Sequence, residues 1–204
     1  DNATVSLDGH SGELVKDSAT GTWKLKNDDG SRIERKTGAT NADNDTEYWV
    51  LTTVDGTKYY FGLGKRYSAD TLDTKSTLTV PVAGNQSGEP GYKSGDFAGS
   101  FLTQAWRWNL DYVVDVHGNT MTYVYSKATN RYRQSATAKS VAYDRDSWLT
   151  RIEYGQRKGS EATTTAPARV SFTTAERCVP TGDFDCAASN LTSANAAKWP
   201  DVPF

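Results

Sequence analysis

Between Trp106 and Tyr125 the chain reads WRWNLDYVVDVHGNTMTYVY, two runs of alternating apolar and polar residues on either side of Asp-Val-His-Gly-Asn. Alternation sends successive side chains to opposite faces of an extended backbone, so the pattern predicts one long β-hairpin. In its turn Asp115 can accept a hydrogen bond from the backbone two residues on, and Gly118 and Asn119 both tolerate the positive φ of a tight hairpin. The design recurs along the chain. Gly21 to Lys26 alternates, turns at Asn27-Asp-Asp-Gly30 and resumes over Ser31 to Lys36; Glu47 to Thr53 turns at Asp55-Gly56 and returns over Thr57 to Gly62. Thr77 to Val82 is a short strand whose Pro81 suits a sheet edge or a strand end, because proline donates no ladder bond. Tyr143 to Tyr154 and Ala168 to Thr174 supply further strand. Residues 83–100 are rich in Gly, Ser and Pro without a period, which predicts a long loop or flap. Ala187 to Lys198 is the one stretch that suggests a helix, and a short one.

Local hairpins in succession predict an all-β protein, a meander of antiparallel β-hairpins forming a curled sheet or partial shell. A β-sandwich is the alternative, since turn signals do not say whether a sheet curls or splits in two. Residues 1–20 read as a polar N-terminal segment prone to disorder, and residues 21–204 as a single β-rich domain, a size that all-β domains commonly reach. Mean hydropathy is low, −0.67. The 6 Trp, 11 Tyr and 6 Phe must therefore supply much of the core.

The 23 basic and 25 acidic residues are interspersed and nearly cancel. No basic stripe is available to neutralise phosphates, so nucleic acid is not an expected partner. No apolar run approaches the roughly 18 residues of a membrane span, and no signal peptide is visible. The chain opens at Asp1 without Met, which suggests a processed or excised piece of a larger polypeptide.

Catalytic groups are scarce. His10 lies in a polar stretch and His117 in a turn, and neither neighbours a Gly-x-Ser-x-Gly elbow or a reactive cysteine. The reading is therefore of a protein without enzymatic activity. Two binding chemistries remain. Asn41, Asp43, Asp45 and Glu47 recur at every second residue, a density of hard oxygen ligands that could hold calcium, although the glycine of an EF-hand loop is missing. Trp49, Tyr59, Trp106, Trp108 and Tyr112 could present flat rings to a sugar, which would make the chain a carbohydrate-binding module for a cell-surface glycan. Against this, Trp106, Trp108 and Leu110 share a face and form a stripe suited to a core. Cys178 and Cys186 flank a turn at Pro180 and Gly182, a spacing that matches no zinc or redox motif and favours a local disulfide and export. Four triplets, at Asn2, Asn44, Asn85 and Asn190, fit the N-glycosylation pattern, a number close to chance in so Asn- and Thr-rich a chain.

Two stretches, D-x-x-G-N-x-x-x-Y-x-Y from Asp115 to Tyr125 and Y-D-x-x-x-x-L-x-x-I-x-Y-G from Tyr143 to Gly155, resemble the tyrosine-aspartate (YD) repeats of bacterial RHS proteins. Lys58-Tyr-Tyr-Phe-Gly62 and Gln104-Ala-Trp-Arg-Trp-Asn-Leu-Asp111 are similar to the segment that precedes such repeats in large secreted actinobacterial members. The resemblance spans residues 20 to 180. It implies a secreted or cell-surface bacterial protein in which this chain is a non-catalytic β-segment of a shell, related to the shells of teneurins and Tc toxins, that encloses or presents a C-terminal toxin. Other segments of the same large polypeptide are then the expected partners. The chain departs from the pattern in showing only two repeat-like units and in lacking cysteines near Gly91 and Leu102, so it would form the edge or entry of a shell.

Overall fold

A computed structural model describes residues 3–7, 10–134, 139–174, 185–190 and 192–198. They contain twelve strands: β1 (Thr4–Val5), β2 (Gly12–Lys16), β3 (Trp23–Leu25), β4 (Arg32–Lys36), β5 (Tyr48–Thr52), β6 (Lys58–Phe61), β7 (Thr77–Ala83), β8 (Phe101–Trp108), β9 (Leu110–Val114), β10 (Asn119–Arg133), β11 (Ser140–Arg157) and β12 (Ala168–Ser171). Ten of these make one antiparallel sheet in the order β1-β2-β3-β4-β5-β6-β9-β10-β11-β12, while β7 and β8 pair as a second sheet inserted between β6 and β9. The protein is all-β and meandering, as the hairpin punctuation predicts. Among the described residues the second sheet has only two strands, so the partner layer of a sandwich is not formed.

Residues 3–7 and 10–20, in the segment expected to be prone to disorder, include paired strands. Thr4 pairs with Glu13 and Val5 with Gly12, and β2 continues into β3. Ala3, Val5 and Leu7 lie two apart in sequence and pack on the cluster of Leu14, Leu25, Ile33, Leu51 and Phe61. That short apolar alternation is enough to order a stretch whose composition is polar. Edge-to-face contacts then join Trp23, Trp49 and Trp108 along the same core, with centroids 5.2 and 6.2 Å apart.

The Trp106 to Tyr125 stretch is not one hairpin. Trp106 to Trp108 belong to β8 and the two-stranded sheet, whereas Leu110 to Tyr125 form the β9–β10 hairpin of the large sheet. The switch falls at Asn109, whose amide donates to Ser76 O at 2.8 Å and whose carbonyl accepts from Gly62 N at 3.0 Å.

Five ladder positions carry an extra residue on one strand. Leu78 and Thr79 pair with Arg107 and Ala105, skipping Trp106; Tyr60 and Phe61 pair with Tyr112 and Leu110, skipping Asp111. In the β10–β11 hairpin the skipped residues are Arg145, Thr150 and Gly155, which is how the 18 residues of β11 match the 15 of β10. Each such bulge bends the strand and adds right-handed twist.

The chain divides into two compact units, residues 1–171 and 172–204, in place of the single domain expected over 21–204. In the second unit the expected short helix is a pair of 3-10 turns, Ala188–Asn190 and Ser193–Lys198. No described helix is long and apolar enough to cross a membrane.

Candidate functional site

The loop between β4 and β5 folds Asp43 and Glu47 inward and leaves Asp45 exposed. Asp43, Asp45 and Glu47 each place one oxygen within 4.8 Å of the others, as the calcium reading requires. The same oxygens are already committed to the protein. Asp43 Oδ1 accepts from Ala105 N at 2.6 Å and Oδ2 from Glu47 N at 3.1 Å. Glu47 Oε1 accepts from Trp49 Nε1 at 3.0 Å, while Arg35 binds Glu47 Oε2 and lies 3.3 Å from Asp45 Oδ2. Asn41 does not complete a ligand set. Its Nδ2 donates to Glu47 O at 2.6 Å and Gly62 O at 2.7 Å, so its Oδ1 faces Asp43 N instead. A cation would have to displace the Arg35 guanidinium. Asp45 is pushed up to about 6 by its hydrogen bond with Asp43, then by burial and by the Asp43 and Glu47 charges. Burial also raises Asp43, but hydrogen bonds from Asp45 and from the Ala105 and Glu47 amides outweigh it and hold this carboxyl below its ordinary range. The loop acts as a polar staple, its Asn41 and Asp43 side chains bonding backbone groups at Glu47, Gly62 and Ala105.

Three of the five aromatic candidates meet. Trp49, Trp106 and Trp108 line a cleft of about 650 Å³ whose floor includes Leu14, Ile33, Leu51 and Phe61. The other two do not. Tyr59 is half-buried on the core cluster and does not line this cleft, and Tyr112 is buried with its hydroxyl on Glu161, so Tyr112 offers no platform for a sugar ring. The expected Trp106-Trp108-Leu110 stripe is broken by the bulge: Trp108 packs on the core, whereas Trp106 is 45% exposed. All three indole N–H groups have protein acceptors, Glu47 Oε1 for Trp49, Glu47 O at 3.1 Å for Trp108 and Asp144 O at 3.2 Å for Trp106.

The β9–β10 turn holds the three residues predicted for it, with a different geometry. Asp115 N donates to Asn119 O at 3.1 Å, which leaves Val116, His117 and Gly118 as a three-residue loop. Gly118 has φ +77°, as such a loop requires at its last position, whereas Asn119 is already in β10. The Asp115 carboxylate accepts from His117 N and Asn119 N, both at 2.8 Å, and from Asn119 Nδ2 at 2.7 Å. These bonds hold it below the usual carboxylate range, the Asn119 side chain contributing most. His117 enters the pattern through its backbone, and His10 contacts Asp29 on another hairpin at 2.5 Å.

Two acidic residues were not singled out by sequence. Asp144 Oδ2 accepts from Thr79 N at 2.9 Å, Thr79 Oγ1 at 3.2 Å and Lys127 Nζ at 2.9 Å, tying β11 and β10 to β7. Its signal was available, since it is the aspartate of the Tyr143-Asp144 pair. Asp111, the bulge residue of β9, is fully buried, and its Oδ2 accepts from Ser76, Thr74 and Gly64 at 2.7–2.8 Å. Among the described residues its Oδ1 has no hydrogen-bond partner. The expected Cys178–Cys186 bridge lies outside the described residues, which do not include 178.

No family model, curated protein or solved structure matches the chain.

Proposed function

We propose that this chain is a non-catalytic, structural β-segment of a large exported RHS-type protein, part of a shell that encloses or presents a C-terminal toxin. The observation that supports this best is the Tyr143 to Gly155 unit. It is a strand with three bulges, and its aspartate fastens the two-stranded sheet to the large one. A repeat of that kind supplies both curvature and a joint between sheets, which are the needs of a shell wall. The same reading places the protein outside the cell and favours a Cys178–Cys186 bridge. Closing so short a loop would contribute about 2–3 kcal/mol by the chain-entropy argument.

Sequencing the gene on both sides of this segment tests the proposal. Further YD units downstream are expected; an adjoining hydrolase domain with no such units would overturn it. Non-reducing mass analysis of protein from an oxidising compartment should find no free thiol, and two alkylated cysteines would remove the bridge.

A further inference from the structure

We infer that the tryptophan-lined cleft of the first unit binds a small anionic amphiphile, an apolar body carrying a carboxylate head. The inference does not depend on the shell reading. A cleft of about 650 Å³ falls in the size range of small-molecule sites. Its walls favour an apolar occupant over a sugar. The indole N–H groups of Trp49, Trp106 and Trp108 are bonded within the protein, and so are two other polar groups of the lining: Tyr125 donates its hydroxyl to Leu110 O at 2.7 Å and Asn109 its amide to Ser147 Oγ at 2.9 Å. A sugar would bury hydroxyls against partners already taken, and that is costly. Apart from the Thr4 and Ser6 side chains and Arg107, ring faces and aliphatic side chains make up the rest of the lining.

Charge and position supply the other half. Arg107 lines the same cleft, and its guanidinium lies 3.5 Å from Asp146, both side chains more than half exposed. Such a pair is weak, so a carboxylate at the cleft can take the arginine over. Next to it Trp106, carried by the β8 bulge, stands half-exposed where it can cover the body of the ligand.

The probe is dodecanoate, titrated into the full chain below its micelle concentration and followed by tryptophan emission and calorimetry. Saturable binding at one site is expected. Trp106→Ala should weaken it by about tenfold or more. Arg107→Gln should weaken dodecanoate severalfold and leave dodecanol unchanged, a split that general loss of structure would not give. Trp148→Ala, which removes a half-exposed tryptophan outside the cleft lining, should bind like the parent. No saturable binding, equal binding by all three variants, or binding of maltohexaose in place of dodecanoate would overturn the assignment.

Discussion

Asp111 interrupts an apolar strand, and its carboxylate is wholly removed from water. Burial outweighs the hydrogen bonds from Ser76, Gly64 and Thr74 and pushes it up to about 6. The unfolded chain releases this proton near the ordinary value of about 4, so between those two values the folded state holds a proton that the unfolded state has lost. Stability from this residue is therefore fully present below about pH 4 and is lost as pH rises through 6. Compared with Asp111→Asn, the parent protein should gain about 2 kcal/mol on going from about pH 7.5 to 4.5. Urea unfolding of both proteins at the two pH values measures this, and a difference independent of pH would contradict it. Gly118 provides the contrasting case. A Cβ there would meet nothing within 4 Å, so Gly118→Val reports the cost of its positive φ alone. The expected loss is about 1–3 kcal/mol. His117→Ala should be close to neutral, because the turn uses the backbone of that residue, and thermal melts of the pair would separate the two effects. At this scale the sequence is legible where chemistry is local, as in Asp115 and Gly118. It is opaque where a partner is distant: nothing near Asp111 in sequence announces Ser76 or Gly64.

Among elements, the hairpins were readable and the ladders were not. Alternation continues by eye through Trp106, Trp108 and Leu110, yet the ladder skips Trp106 and Asp111 and the strand changes sheets at Asn109. A bulge adds one residue without altering composition, so it leaves a phase slip that only the partner strand reveals. The bulges on β11 fall at 145, 150 and 155, five residues apart, and the last occupies the Gly155 that closes the YD-like pattern. The joint at Asp144 is the element-scale prediction. Its carboxylate and the Lys127 ammonium are largely buried. Asp144→Ala leaves that ammonium and the Thr79 amide without their acceptor, and the expected loss is about 2–4 kcal/mol. Asp144→Asn keeps an accepting oxygen and should lose less. Hydrogen exchange at Thr79 distinguishes a loosened joint, which should exchange faster in Asp144→Ala, from a general loss of stability.

For the whole molecule, a meander is the arrangement that local sequence reports best, because each strand pairs with one nearby in the chain. Order in the ten-stranded sheet follows the chain throughout; the β7–β8 insertion is the one excursion, and Pro81 and the Gly/Ser/Pro-rich 83–100 mark an edge strand and a loop there without saying that a second sheet forms. The acidic loop was only partly legible for a related reason. Spacing brings Asp43, Asp45 and Glu47 together, but Arg35 and the amides that occupy them come from other elements or from a turn geometry that composition does not encode.

The uneven lengths of the strands have one more effect. β9 is laddered to β10 only over Thr120 to Thr122, and β12 to β11 only over Arg151 to Tyr154, so along much of the remaining long hairpin the outer rims have no laddered strand among the described residues, although Tyr125 N reaches Thr74 O and Asp144 joins β7. Open rims of that length are templates on which a stray strand can grow, the first step of self-association. The extra residues Arg145 and Thr150 lie in this stretch, and by twisting it they spoil the flat register that a recruited strand needs. Deleting Arg145 should therefore raise light scattering on incubation even where the melting temperature holds, which would make the bulges safeguards of solubility as well as sources of curvature.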